Sequence, residues 1–298
     1  MKLKIWFQET RPQFLLLSVA LLFLGTGVAW YEGVFHLGYA LLALAGLLLA
    51  HIAVNVLNDY FDFRSKLDFK TKRTPFSGGS GILPAGLLKP GHVFWFGVIS
   101  FLLAAAIGIY FIVERGLGLL PLLLAGALFI FLYTPLITKL GWSEWAAGAG
   151  MGSLPILGAY FIQTASYTMP VVIACIPSGI LVHNLLLLNE FPDMEADSKV
   201  GRKTLPISMG GKKASWVYSV LMVVIYFWVI GWVVAGAMPL FSLLVLLTLP
   251  LAIKAIAGAL NYQDMNRLMP AMANNVMVVL FFQVLLGAGY ILGRVFLG

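Results

Sequence analysis

Apolar runs of about 18 to 22 residues follow one another almost from end to end of this chain, and each is long enough to cross a hydrocarbon layer of about 30 Å as a helix. No other feature restricts the fold as much. Of the 298 residues, 61% are hydrophobic and only 10% charged, against roughly a quarter charged in an ordinary soluble domain. A water-soluble core cannot absorb that much apolar surface, so the bilayer is the solvent. A barrel would need short alternating strands, whereas these runs are continuously apolar and rich in Leu, Ala and Gly. The expected fold is therefore all-α, a polytopic membrane helical bundle. Its nine spans fall at about 13–33, 37–58, 92–113, 118–137, 144–163, 170–190, 214–236, 239–260 and 271–293.

The first run starts after Met1–Pro12, is too long for a signal core and has no small-residue cleavage pattern before Trp30, so it is expected to remain as the first span. Cys175 is the only cysteine, which rules out an intramolecular disulfide and leaves a buried thiol in the sixth span.

With nine spans, alternate loops lie on opposite sides of the membrane. All but Arg115 and Arg294 of the 19 Lys and Arg residues then fall on one side, in the N-terminal segment, the loops after spans two, four and six, and the last loop. The positive-inside rule places the N-terminus and the two long loops in the cytoplasm and the C-terminus outside, which fits a cytoplasmic membrane. The net charge of +7 does not indicate a nucleic-acid partner, because the basic residues hug membrane ends without any helix-turn-helix or zinc-finger context.

Acidic residues number only twelve, and seven of them fall in two stretches: Asp59, Asp62 and Asp68, then Glu190, Asp193, Glu195 and Asp197. The first stretch begins Asn58-Asp-Tyr-Phe-Asp and the second Asn189-Glu-Phe-Pro-Asp. A spacing of 131 positions separates Asn58 from Asn189 and Asp62 from Asp193, so the single domain 1–298 is expected to comprise two pseudo-repeated halves, roughly 1–140 and 141–298. A helix continued through the first motif places positions 55, 58, 59 and 62 on one face. In the second motif Pro192 kinks or restarts the helix and leaves the aim of Asp193 and Asp197 open.

Carboxylates at the membrane end of a span are costly and usually face an interior cavity with a function. Two opposed clusters of carboxylates and amides suit hard cations, and Mg2+ takes one or two carboxylates and fills its shell with water and phosphate oxygens. Lys66, Lys70, Lys72 and Arg73 after the first motif, and Lys199, Arg202 and Lys203 after the second, can neutralise the remaining phosphate charge. A departing diphosphate stabilised in this way leaves an allylic cation, which needs a dry, aromatic-lined cavity. Tyr60, Phe61, Tyr133, Trp142, Trp145, Tyr160 and Phe161 lie near spans that could line it.

This pair of motifs after spans two and six resembles the UbiA superfamily of intramembrane prenyltransferases over nearly the whole chain. The stretches Asn58–Asp68 and Gly201-Arg-Lys-Thr-Leu-Pro206 look most like the branch that prenylates 1,4-dihydroxy-2-naphthoate in menaquinone biosynthesis. The resemblance implies a bundle around a lipid-open cavity under two cytoplasmic cap loops, and transfer of a prenyl group from an isoprenyl diphosphate to an aromatic acceptor. It implies two Mg2+ ions held by Asp59, Asp62, Asp68, Asp193 and Asp197, with Asp62, Asp193 and Lys203 in catalytic roles. Asn58, Asn189, Lys66, Lys72, Arg73, Arg202 and Tyr133 then bind substrate. In this sequence Lys66 stands where some relatives place an Asp, which bears on the ligand count of the first motif.

More ordinary roles stand beside these. The motif residues could simply cap helices, and membrane topology alone would place Arg202 and Lys203 where they are. His51, Asn55, His183 and Asn184 lie inside spans, where interhelical hydrogen bonding is the usual role and contact with the acceptor the functional one. The loop Ser77–Gly81 lacks the lysine-serine ending of a P-loop and reads as a cap hinge. An ion-coupled transporter is the competing class, but its site would lie near the bilayer midplane. A head-group phosphotransferase would carry an Asp-Gly-x-x-Ala-Arg pattern, which is absent.

Overall fold

The computed structural model describes residues 2–71 and 73–297, so Lys72 lies outside the described residues. Among the described residues there is no strand, and nine helices are long and apolar enough to cross a membrane. A short N-terminal helix, α1 (Lys2–Glu9), leads into spans α2 (Pro12–Tyr31), α3 (Leu37–Arg64), α4 (Pro90–Arg115), α5 (Leu117–Leu140), α6 (Ser143–Thr164) and α7 (Met169–Glu190). Two short helices, α8 (Met194–Ser198) and α9 (Leu205–Met209), precede spans α10 (Gly211–Val234), α11 (Leu240–Ala259) and α12 (Met265–Leu297). The chain is an integral membrane protein of the expected all-α class.

The bundle is packed unevenly. Span α7 has 67% of its apolar window buried, against 39% for α3 and 6% for α5. Around α7 the main core gathers Leu21 and Leu24 of α2, Tyr160 of α6, Met222 of α10 and Phe282 and Tyr290 of α12. Polar side chains tie these spans together: Ser178 donates to Gln283, Asn184 to the carbonyl of Tyr218, and Tyr218 to Asn275 at 3.0 Å. In a medium without water such bonds hold helices in register. On the other side, α3, α4, α5 and α6 enclose space instead of filling it.

Two details of the helices shape that space. The last turns of α5 (Tyr133–Ile137) and the middle of α6 (Ala149–Ser153) widen into π-helix, the first around Pro135 and the second just before Pro155. Proline has no N–H to donate, so the regular ladder is interrupted there, and such bulges recur at functional sites. In α11 the first nine residues, Leu240–Thr248, wind as a tighter 3₁₀ helix ahead of Pro250. The helix of span two runs past the expected end at 58 and carries the motif to Arg64.

Candidate active site

Both acidic motifs end at the same end of the bundle, and between them lies a cavity of about 270 Å³. The first motif rides on intact helix: Asn58, Asp59 and Asp62 lie on α3, and Asp68 sits in a 3₁₀ turn, Leu67–Phe69, after it. The second is broken. Span α7 stops at Glu190, Pro192 lies in the turn, Asp193 stands at the N-cap position of α8 without a side-chain capping bond, and Asp197 lies within the helix. Asn58, Asp62 and Asp68 line the cavity from one side, and Asn189, Asp193 and Asp197 from the other.

Arg202 joins the two sides. Its guanidinium is paired with Asp62 of the first motif and lies 3.3 Å from Asp197 of the second. Asp59, although 1% exposed, does not reach the cavity wall. It faces Arg11 at 3.7 Å and accepts the amide of Ser80 at 2.9 Å. That amide belongs to the glycine loop, which folds over the first motif and does not serve as a free hinge. Gly79, at φ +70, lies so close that a Cβ there would stand 3.0 Å from Asp68 Oδ1 and 3.4 Å from Asp59 Oδ1.

Several polar atoms here are sealed from solvent without a hydrogen-bond partner among the described residues: Asp68 Oδ2, Asn189 Oδ1 and Asp193 Oδ1, and also Asp59 Oδ1, whose one charged neighbour is Arg11 at 3.7 Å. Unpaired buried acceptors are costly and call for a cation. Burial, and then the charges of Asp62 and Asp59, push the Asp68 carboxyl up to about 7. Burial and the charge of Asp197 do the same for Asp193, also to about 7. Asp197 itself is pushed up to about 6 by burial, opposed by Arg202. All three bind a metal only by losing protons they hold more tightly than usual. The donor set suits Mg2+, which favours carboxylate and amide oxygens and leaves positions for phosphate. Among the described residues no three His, Cys, Asp or Glu side chains form a group that holds an ion unaided.

Other expected residues stand apart. Lys66 is exposed in a left-handed turn at φ 62, and Arg73 is exposed and braces the glycine loop through the carbonyl of Ser80. The Lys203 side chain is exposed and off the cavity wall, while its backbone amide docks on Thr138 at 2.8 Å. None of the three lines the polar cavity. Of the aromatics singled out in the sequence only Tyr133 lines the polar cavity, where Phe14 and Phe76 join it; Trp142 and Trp145 are exposed, and the Tyr160 hydroxyl is occupied by Glu32 and Thr168.

Three charged groups escaped the sequence reading. Glu9, fully buried at the end of α1, accepts from the Ser80 hydroxyl at 3.0 Å, and burial and the charge of Asp59 push it up to about 8. Arg11 pairs with Asp59, as above. Glu144, fully buried, accepts from Ser143 at 2.9 Å and from the amide of Leu205, tying the second cap loop to α6. In so acid-poor a chain, each carboxylate on the motif side was a signal.

Beyond the polar cavity, and sharing wall residues with it, a second cavity of about 520 Å³ runs between α3, α4, α5 and α6. Its walls are almost wholly apolar. On α3 it extends from Asn58 back to Ala43, about 22 Å of helix.

Residues 15–290 match the UbiA prenyltransferase family. The chain belongs to this family. The 1,4-dihydroxy-2-naphthoate octaprenyltransferase of Bacillus subtilis (strain 168) is 33% identical over 292 residues, which cover 97% of this chain and 93% of that relative. UbiA prenyltransferase domain-containing protein 1 of Xenopus tropicalis is 28% identical, over 91% of this chain and 78% of its own. A UbiA homolog from Aeropyrum pernix K1, in an apo structure, superposes with a TM-score of 0.73 at 17% identity, covering 94% of this chain and 97% of that one. A UbiA homolog from Archaeoglobus fulgidus bound to GPP and Mg2+ gives 0.63 at 16% identity, over 95% and 99%. These structures share the fold of this chain.

Proposed function

We propose that this UbiA protein transfers an isoprenyl group from its diphosphate to an aromatic acceptor, 1,4-dihydroxy-2-naphthoate, at the cytoplasmic face of the membrane. The observation that carries this reading is the continuity of a carboxylate-lined cavity with an apolar one: a charged head fits the first and a hydrocarbon tail the second. The naphthoate activity named for the Bacillus relative supports the acceptor, and the excess of Lys and Arg at the motif end supports the sidedness.

Asp62, Asp68, Asp193 and Asp197 hold two Mg2+ ions, with Asp59 bracing the glycine loop behind them. Mg2+ supplies Lewis acidity toward the diphosphate oxygens. Asn58 and Asn189 orient the diphosphate from opposite sides, and Arg202, released from Asp62 and Asp197, turns its guanidinium to the phosphate. The bond between C1 of the prenyl group and the diphosphate oxygen breaks. Tyr133 and the apolar walls face the resulting allylic cation and keep water away. The electron-rich ring then attacks C1, and loss of a proton or of the ring carboxylate as CO2 restores aromaticity.

The test is diphosphate release by purified protein in detergent, with geranylgeranyl diphosphate and three acceptors: 1,4-dihydroxy-2-naphthoate, 4-hydroxybenzoate and a glyceryl phosphate lipid. Release confined to the naphthoate and abolished by chelator is expected. Release confined to another acceptor replaces the naphthoate, and no release with any of them overturns the transferase reading.

A further inference from the structure

Six residues line both cavities and so surround the place where head and tail of the donor meet: His51, Asn55, Asn58, Tyr133, Ala147 and Met151. The Asn58 amide donates to Thr134 Oγ1 at 2.9 Å, and the Asn55 amide to the carbonyl of Thr10 at 3.0 Å. His51 lies one further turn into the membrane, about 10 Å of helix from Asn58. Its Nδ1 sits 2.8 Å from the hydroxyl of Ser18, which is fully buried on α2. That contact fixes the ring plane and uses one nitrogen. The other, Nε2, makes no hydrogen bond among the described residues. His183, the second imidazole inside a span, differs: its Nε2 is sealed and the residue lines neither of the two cavities, whereas His51 stands on the wall of both.

A polar atom facing an apolar membrane cavity is expensive unless a ligand meets it. The donor offers nothing suitable at that depth, because its diphosphate is held at the motif end and its tail is hydrocarbon. The remaining reactant must bring its ring within about 3.5 Å of C1. A hydroxylated bicyclic ring placed there spans the stretch of α3 from Asn58 toward His51.

Resting on the prenyl-transfer reading, we propose that His51 is the residue that recognises the acceptor, its Nε2 hydrogen-bonding a ring hydroxyl while Ser18 holds the imidazole in place. The acceptor class that follows is a naphthol or phenol with a hydroxyl on the far side of the ring from the diphosphate. Both neutral tautomers serve, since a hydroxyl accepts and donates.

The experiment is a binding measurement that needs no turnover. Protein loaded with Mg2+ and an unreactive thiodiphosphate analogue of the donor is titrated with 1-hydroxy-2-naphthoate and with 2-naphthoate, which lacks the hydroxyl. Wild type is expected to prefer the hydroxyl compound by about tenfold. His51→Ala loses the preference and binds both alike, His51→Gln keeps part of it, and Ser18→Ala gives an intermediate loss. The donor analogue binds all four proteins within about threefold, which a general loss of folding would not allow.

A hydroxyl preference that survives in His51→Ala overturns the proposal, as does a parallel fall in donor affinity. If His51→Ala does not fold, His51→Gln and Ser18→Ala decide by the same preference. If wild type binds the donor analogue but neither naphthoate, the acceptor assignment falls and the diphosphate reading stands. If wild type fails to bind the donor analogue, the diphosphate reading falls, and the naphthoate titration without donor still decides the role of His51.

Discussion

The two motifs hold similar residues at a similar depth, yet one is built on a continuous helix and the other on a break. In the first, α3 runs through Asn58, Asp59 and Asp62 to Arg64 without interruption. In the second, α7 ends at Glu190 and the carboxylates follow in a turn and a five-residue helix. A rigid wall opposite an adjustable one suits a site that must close around a diphosphate, since only one side has to move. Arg202 sits on the adjustable side and reaches across to Asp62 of the rigid one.

If both sides are needed, removing one central carboxylate from either should be nearly fatal. Asp62→Ala and Asp193→Ala are each expected to lower kcat/KM by about 10³-fold or more, while the protein still elutes from detergent as a folded species. Activity retained in one of the two would assign the chemistry to the other motif alone. Arg202→Ala should cost about 10²-fold, with Arg202→Lys closer to wild type in charge but without the fork that spans both carboxylates. A larger loss from Asp62→Ala than from Arg202→Ala separates metal holding from the bridge, and equal losses would merge them.

The break itself is tested by Pro192→Ala. With the missing N–H restored, α7 can continue and carry Asp193 onto the face of Asn189, as Asp62 follows Asn58 on α3. The expected outcome is about tenfold lower kcat/KM with a raised Mg2+ requirement. Unchanged activity would show that the turn is not needed and that the two motifs are interchangeable in form.

Protons sharpen the same comparison. Asp68 in the first motif and Asp193 in the second are both pushed up to about 7, and Asp197 to about 6, mainly by burial. Folded-state values above the unfolded ones mean that the native protein binds more protons between about pH 4 and 7, so metal-free stability falls as pH rises through that window. Mg2+ binds the deprotonated groups, so its stabilisation runs the other way. At about 100-fold over its Kd it adds about 2.7 kcal/mol, and the gain in Tm should be larger at pH 8 than at pH 6. Activity should fall as pH drops from 7 to 6. A metal-induced shift independent of pH would remove these carboxylates from the ligand set.

How much of this was legible in the sequence differs between fold and site. The nine spans were plain because each apolar run is sorted by the bilayer alone, and the paired motifs because Asn58, Asp62, Asn189 and Asp193 repeat at one spacing. Pro192 announced the break. The partners of those residues were not legible. Glu9, Arg11 and Glu144 acquire meaning only when α1, α3 and α6 are brought together, and Pro135 marks an interruption of the helix without saying that the ladder re-forms as the π turn that carries Tyr133. Arg202 and Lys203 read alike in sequence, as basic residues beyond a membrane end; packing points one into the cavity and the other out.

Lys66 separates position from role most gently. It follows the first motif as Arg202 follows the second, and the sequence places both beside the diphosphate. In the structure it ends α3 in a left-handed turn at φ 62, exposed and away from the cavity. That backbone conformation strains a long side chain, and asparagine tolerates it better without the entropic cost of glycine. Lys66→Asn should leave kcat/KM and the donor KM within about twofold of wild type and raise Tm slightly, because it relieves the turn and removes an exposed charge that makes no ion pair among the described residues. A rise of tenfold or more in donor KM, with kcat intact, would bring Lys66 to the diphosphate after all. The rigid motif would then have a mobile cation of its own, and the contrast between the two walls would lie in the backbone alone.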